Sequence, residues 1–81
     1  MRPEQAFGSV LRDLRHKKAL SQEKLALEAN MERAYISMLE RGLRQPTLST
    51  ILKLSPVLGV SAATMVELVE KLIAAESDVN P

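Results

Sequence analysis

The sequence predicts an all-α domain of five short helices, and three observations carry that expectation. Apolar residues recur at three- and four-residue spacing through most of the chain, the period of a helix face. The periodic segments alternate with helix caps (Ser21, Thr47, Ser61) and helix stops (Asn30, Gly42, Gly59). Finally, 46% of the 81 residues are hydrophobic but only Phe7 and Tyr35 are aromatic. The core must then be built from Leu, Ile, Val, Ala and Met, which favours helices over sheets. This length makes one domain. A chain so short buries only about 60–65% of its unfolded surface, so its stability must come from a compact core or from a partner chain.

The first helix is expected over residues 4–18, after Pro3, with Phe7, Val10, Leu11 and Leu14 inward and Lys17 and Lys18 complementing the dipole of the last turn. Ser21 caps the second, residues 22–29, with Glu23 in its first turn and Leu25, Ala26 and Ala29 facing inward. Asn30 tolerates the left-handed conformation that ends a helix. A third helix over residues 32–41 stops at Gly42, and Pro46 biases Gln45 toward an extended loop. Thr47 caps "LSTILKLSPVL", with Leu48, Ile51, Leu52, Leu54, Ser55 and Leu58 as the inward set and Gly59 as the stop. Pro56 removes the hydrogen bond to the Leu52 carbonyl, so a kink or tightening is expected in the final turn but not two separate helices. Ser61 caps the last helix, residues 62–76, and the tail "SDVNP" is expected to fray.

Composition narrows the function. There is no cysteine, hence neither a disulfide framework nor a thiolate metal site, and His16 stands alone. No nucleophile–base pair, metal cluster or phosphate-cradling glycine loop is present, so an enzyme, a cofactor and a small-molecule substrate are not expected. Neither a membrane-length apolar run nor a signal peptide is seen, which points to a cytoplasmic protein. The formal net charge is only +1, but its distribution is uneven. Residues 1–46 hold nine Lys and Arg against six Asp and Glu, and residues 47–81 hold two against four. A basic front half is consistent with an anion-facing side.

The stretch "NMERAYISMLERG" has two unlike faces. Ile36 and Leu39 share one, flanked by Glu32 and Tyr35. The other carries Arg33, Ala34, Ser37, Met38 and Arg41. The second and third helices are joined by so tight a turn that they must cross steeply, and small Ala26 lets the backbones approach.

The pieces "LSQEKLA", "YISMLERG" and "PTL…ILKL…LGVS", in that order and spacing, resemble the lambda-repressor-like, Cro/cI-type (XRE) helix-turn-helix family over about residues 8–66. "ERAYISMLERG" is also similar to the recognition helix of restriction–modification controller proteins, a small homodimeric branch of that family. The resemblance implies a helix-turn-helix at residues 21–42, with the third helix in the major groove of double-stranded DNA and the second across the backbone. It implies a transcriptional regulator, associated with the nucleoid through its DNA. Arg33 is the first choice for a base contact, a bidentate fork on guanine. Ser37 can reach a base edge or a phosphate. Ala34 and Met38 offer van der Waals contact. Gln22 and the free N–H groups around it form a helix-terminus anion site. Tyr35, Arg41, Arg44 and Gln45 fall at backbone or flanking positions. The family pairs Arg15 with Glu40, an ion pair that ties the first helix to the third and is assigned to structure.

Four departures from the family pattern stand out, Pro56 among them. Glu32 is a poorer cap than Ser, Thr or Asp. Ala19 replaces the usual glycine before the second helix. Leu27 puts an apolar group on the surface. The last helix also runs past the family's need, with Met65, Leu68, Val69, Leu72 and Ile73 along one stripe. That stripe is expected to form a two-fold homodimer, helped by residues of the fourth helix, which would set two recognition helices roughly 34 Å apart on a pseudo-palindromic operator. The alternative is an antitoxin-type interaction module that neutralises a partner protein and autoregulates through the same motif.

Overall fold

The computed structural model describes residues 1–77; of the tail "SDVNP" expected to fray, Ser77 is still helical and the remainder lies outside the described residues. Within them the chain forms α1 (Pro3–Lys17), α2 (Gln22–Ala29), α3 (Arg33–Glu40), α4 (Leu48–Leu58) and α5 (Ala62–Ser77), with no strand among the described residues. The all-α, five-helix expectation holds, and each boundary falls within a residue or two of its expected place.

Local chemistry accounts for the starts. Pro3 takes the first position of α1, where its missing N–H costs nothing, and the Gln5 side chain accepts from the Arg2 N–H at 3.1 Å. Ser21, Thr47 and Ser61 each accept the N–H three residues on (Lys24, Thr50 and Thr64) at 3.0 Å. Glu32, at the start of α3, makes no side-chain cap bond.

The first four helices share one kind of ending. Ala19, Asn30, Gly42 and Gly59 have φ between 55° and 73°. The N–H of the next residue then reaches back five residues: Leu20 to Arg15, Met31 to Ala26, Leu43 to Met38 and Val60 to Ser55, at 2.8–3.2 Å. This is the Schellman closure, in which a left-handed residue lets the chain turn while satisfying the last carbonyls. The residue after each turn is apolar, as the motif favours, and Leu20, Met31 and Val60 pack onto the core. Leu43 is the exception and stays 60% exposed. Pro56 lies inside an unbroken α4, so it does not divide the helix in two.

Every helix sends a fully enclosed side chain to one core: Leu11 from α1, Leu25 from α2, Ile36 and Leu39 from α3, Leu54 from α4 and Met65 from α5. Phe7, Val10, Leu14, Ala26 and Ala29 are buried as expected. Two expectations for α4 and α5 are corrected. Leu48 and Leu52 are not inward but 70% and 55% exposed, and Thr50 is buried instead. At 100° per residue Leu52 lies roughly 160° around the helix from Leu54. A helix apolar on several sides does not reveal by spacing alone which arc is buried. Met65, placed in the dimer stripe, is fully enclosed and belongs to the core of its own chain.

Gly8 sets how closely α1 and α3 approach. A β-carbon there would lie 2.5 Å from the Leu39 carbonyl oxygen and 2.7 Å from that of Glu40. Because both obstacles are backbone, Gly8→Ala is expected to destabilise the domain by about 1–3 kcal/mol despite alanine's better helix propensity. Ala19→Gly should act oppositely. An L-residue in the left-handed region costs about 1–2 kcal/mol, partly offset by glycine's freer unfolded state, for a net gain of about 0.5–1 kcal/mol. Urea denaturation of the two variants checks both signs.

Candidate nucleic-acid interface

Only residues 30–32 separate α2 from α3. Left-handed Asn30 turns the chain, Met31 packs onto the core, and extended Glu32 starts the next helix. With Leu25, Ala26 and Ala29 buried on α2 and Ile36 and Leu39 buried on α3, the two helices are clamped to the body by their inner faces. Arg33 and Ala34 at the start of α3 and Arg41 at its end are exposed, and Ser37 and Met38 between them are half-buried. The unlike faces read from the sequence are therefore inward and outward faces.

Glu40 fixes this geometry from behind. Its side chain is fully enclosed, yet its carboxylate is the meeting point of three elements. Arg15 of α1 donates to it twice, from Nε at 2.6 Å and from Nη2 at 3.0 Å, and also donates to the Leu20 carbonyl at 2.8 Å. Gln22, the first residue of α2, donates its Nε2 to Glu40 Oε1 at 3.0 Å. Arg12 lies beyond hydrogen-bond distance, its Nε 3.7 Å from the same oxygen. Burial alone would raise the Glu40 pKa, but the bonds from Arg15 and Gln22 and the nearby positive charges outweigh it and hold the carboxyl below its usual range. The hydrogen bond to Glu40 likewise raises Arg15 further above its ordinary value, against the opposing effect of burial. The expected Arg15–Glu40 link between α1 and α3 is present, and it extends to α2.

The remaining site residues are placed as follows. Gln22 is half-buried, with its amide nitrogen committed to Glu40 and its Oε1 accepting from Arg33 Nη1 at 3.4 Å. The side chain is thus engaged within the protein, which was not expected of a residue assigned to a phosphate. The Tyr35 hydroxyl lies 3.2 Å from Thr50 Oγ1, which lies 3.0 Å from Thr47 Oγ1. This chain of hydroxyls joins α3 to the start of α4. Arg41 donates from Nε to the Ser37 carbonyl at 3.4 Å, and Arg44 and Gln45 are exposed in the following loop. Leu27 is 72% exposed, as its departure from the family pattern implied.

Sequence reasoning missed the parts of Arg12, Gly8 and Thr50. A glycine inside an otherwise strong helix was the available signal for a close backbone approach. Neither a metal-holding group of His, Cys, Asp or Glu nor a helix long and apolar enough to cross a membrane occurs among the described residues.

Comparison with known proteins matches residues 11–65 to a helix-turn-helix family model. Over 62 residues the chain is 44% identical to control protein C.BamHI of Bacillus amyloliquefaciens, covering 75% of this chain and 76% of that protein. The restriction–modification controller protein C.AhdI of Aeromonas hydrophila superimposes with a TM-score of 0.74 at 40% identity, covering 76% of this chain and 94% of that one. The biofilm master regulator SinR, solved in complex with DNA, gives 0.71 at 33% identity, covering 74% and 97%.

Protonating Glu40 would leave Arg15 bonded to a neutral group in an enclosed site. Because the folded-state pKa is lowered, the pair's contribution is fully present above the ordinary carboxylate range and is lost as pH falls through the lowered value. Chemical denaturation at a series of pH values from 7 downward should show that loss, and Glu40→Gln should flatten it. Glu40→Ala, which strands a mostly buried guanidinium, is expected to cost about 3–5 kcal/mol at neutral pH.

Proposed function

The chain belongs to the XRE-type helix-turn-helix family of DNA-binding transcriptional regulators, with a lambda-repressor-like fold, and on that premise we propose that it reads a specific operator through the outer face of α3. One observation carries the reading: α3 is clamped by enclosed Ile36 and Leu39 while Arg33, Ala34 and Arg41 stand in solvent on its other side. A solved likeness, the regulator SinR in complex with DNA, supports a DNA-binding role.

In this reading Arg33 bonds a guanine through its planar fork, and Ser37 reaches a base edge or a neighbouring phosphate. Ala34 and Met38 supply apolar surface for thymine methyl groups. Arg41, Arg44 and Gln45 hold the backbone beyond the recognition helix. Tyr35 serves mainly to seat α3 on α4, its ring packed on the core and its hydroxyl beside Thr50. The backbone N–H groups at the start of α2, rather than the engaged Gln22 amide, face a phosphate.

The operator is pseudo-palindromic and is bound by a homodimer. Leu68, Val69 and Leu72 of α5 are only partly covered by the core, Ile73 is half-exposed beyond them, and Val66 is 44% exposed. Exposed Leu48 and Leu52 of α4 add apolar surface that a single chain leaves in water. A two-fold contact through α5 with help from α4 would cover such surface and place two copies of α3 about one duplex turn apart.

Selection of bound duplexes from a random pool is expected to return two inverted half-sites containing guanine. On the selected duplex, Arg33→Ala should cost about 1–3 kcal/mol and relax preference at one position of each half-site. Equal small losses on selected and random DNA would rule out base reading by Arg33. Arg44→Ala should weaken all sequences alike and reduce the salt dependence of binding. Sedimentation should find a dimer at tens of micromolar, and a purely monomeric chain would end the two-fold model.

A further inference from the structure

The Glu40 cluster holds one arginine more than its carboxylate needs. Oε1 of Glu40 accepts from Arg15 Nη2 and Gln22 Nε2, and Oε2 accepts from Arg15 Nε. The two lone pairs of Oε1 are therefore taken, and Arg15 alone balances the negative charge. Arg12 approaches Oε1 only to 3.7 Å, without a hydrogen bond, and its side chain remains 51% exposed. Coulomb attraction thus holds the Arg12 Nε near Glu40, while about half of the side chain stays open to solvent.

The place of this surplus charge matters. The oxygen that attracts Arg12 also holds Gln22, and Gln22 in turn touches Arg33, the first residue of α3. Arg12, the start of α2 and Arg33 therefore form one continuous rim, reaching from α1 to the recognition helix. Ser21 caps only the Lys24 N–H, so other N–H groups of the first turn of α2 lie on this rim without an intrahelical partner.

We propose that Arg12 is a phosphate-binding residue, clamping a DNA backbone phosphodiester at the α1–α2 edge. A guanidinium suits this task because its fork pairs two phosphate oxygens at once. Tethering to Glu40 restricts the side chain beforehand, so less rotamer freedom is lost on binding than for an untethered surface arginine. Glu40 then has two duties: it fixes the crossing of three helices and it aims a cation at the duplex. This inference rests on the DNA-binding reading above and extends it to α1.

The test is the salt dependence of binding by the full chain to its selected duplex, for the unchanged protein, Arg12→Ala and Arg12→Lys, alongside their thermal midpoints. Loss of one phosphate contact should reduce the slope of log affinity against log salt by about 0.9 per protomer. Arg12→Ala is expected to show that reduction equally on selected and random duplexes, with its midpoint little changed, and Arg12→Lys should keep the slope. An unchanged slope for Arg12→Ala, with or without a lower midpoint, makes Arg12 purely structural and overturns the proposal. Should Arg12→Ala not fold, Arg12→Gln, which keeps most of the stem, decides by the same slope. If the unchanged protein binds no duplex, the DNA-binding reading fails and takes this inference with it. If it binds and only the slope criterion fails, the DNA-binding reading stands.

Discussion

A single buried carboxylate organises the functional end of this domain. Glu40 has no solvent around its side chain, so its charge must be matched by protein groups, and the available groups come from α1 and from the first residue of α2. Once they converge, α1 cannot shift against α3 without stranding a charge, nor α2 without breaking a hydrogen bond to that charge. The value of such a pair lies less in net stability, since desolvation offsets much of the attraction, than in fixing one arrangement over its competitors. The approach of α1 to α3 permitted by Gly8 serves the same end, because any side chain there would meet the carbonyls of Leu39 and Glu40.

The turns work with this constraint. Four successive helices close through a left-handed residue, and three of the four apolar residues that follow are drawn onto the core. Each closure therefore sets both where a helix ends and the direction in which the next one leaves. The turn from α2 to α3 has only three residues, and it presents the outer side of α3 while the inner side is held by enclosed aliphatic residues. Leu43, the apolar residue that does not pack, follows the turn that leaves α3. Ala19 shows the cost of the arrangement, since it adopts a conformation better suited to glycine.

The helix limits were legible in the sequence because each has a cause within a few residues: a hydroxyl at Ser21, Thr47 or Ser61, a left-handed turn at Asn30, Gly42 or Gly59. The inner and outer faces of α3 were legible because polar and apolar residues segregate there. In α4 they do not segregate, and Leu48 and Leu52 were misplaced while buried Thr50 passed unseen. Met65 shared its spacing with four partly covered residues, so periodicity could not tell the core end of that stripe from the surface end. The Arg15–Glu40 pair came from family resemblance, as nothing local joins residues twenty-five positions apart. The direction of the Gln22 amide and the surplus charge of Arg12 depend on that same distant carboxylate, and no sequence pattern within α1 or α2 records them.

The central claim is that the polar and methyl-bearing side of α3 faces the duplex, while α5 and the exposed side of α4 serve contacts between protein chains. Titrating the isotopically labelled chain with its selected duplex and following amide and side-chain resonances by NMR tests it most directly. The account predicts that the strongest changes fall at Arg33, Ala34, Ser37 and Met38, continue through the start of α2 and residues 41–45, and leave α5 nearly unchanged. Changes centred on α5, with the outer face of α3 undisturbed, would contradict it.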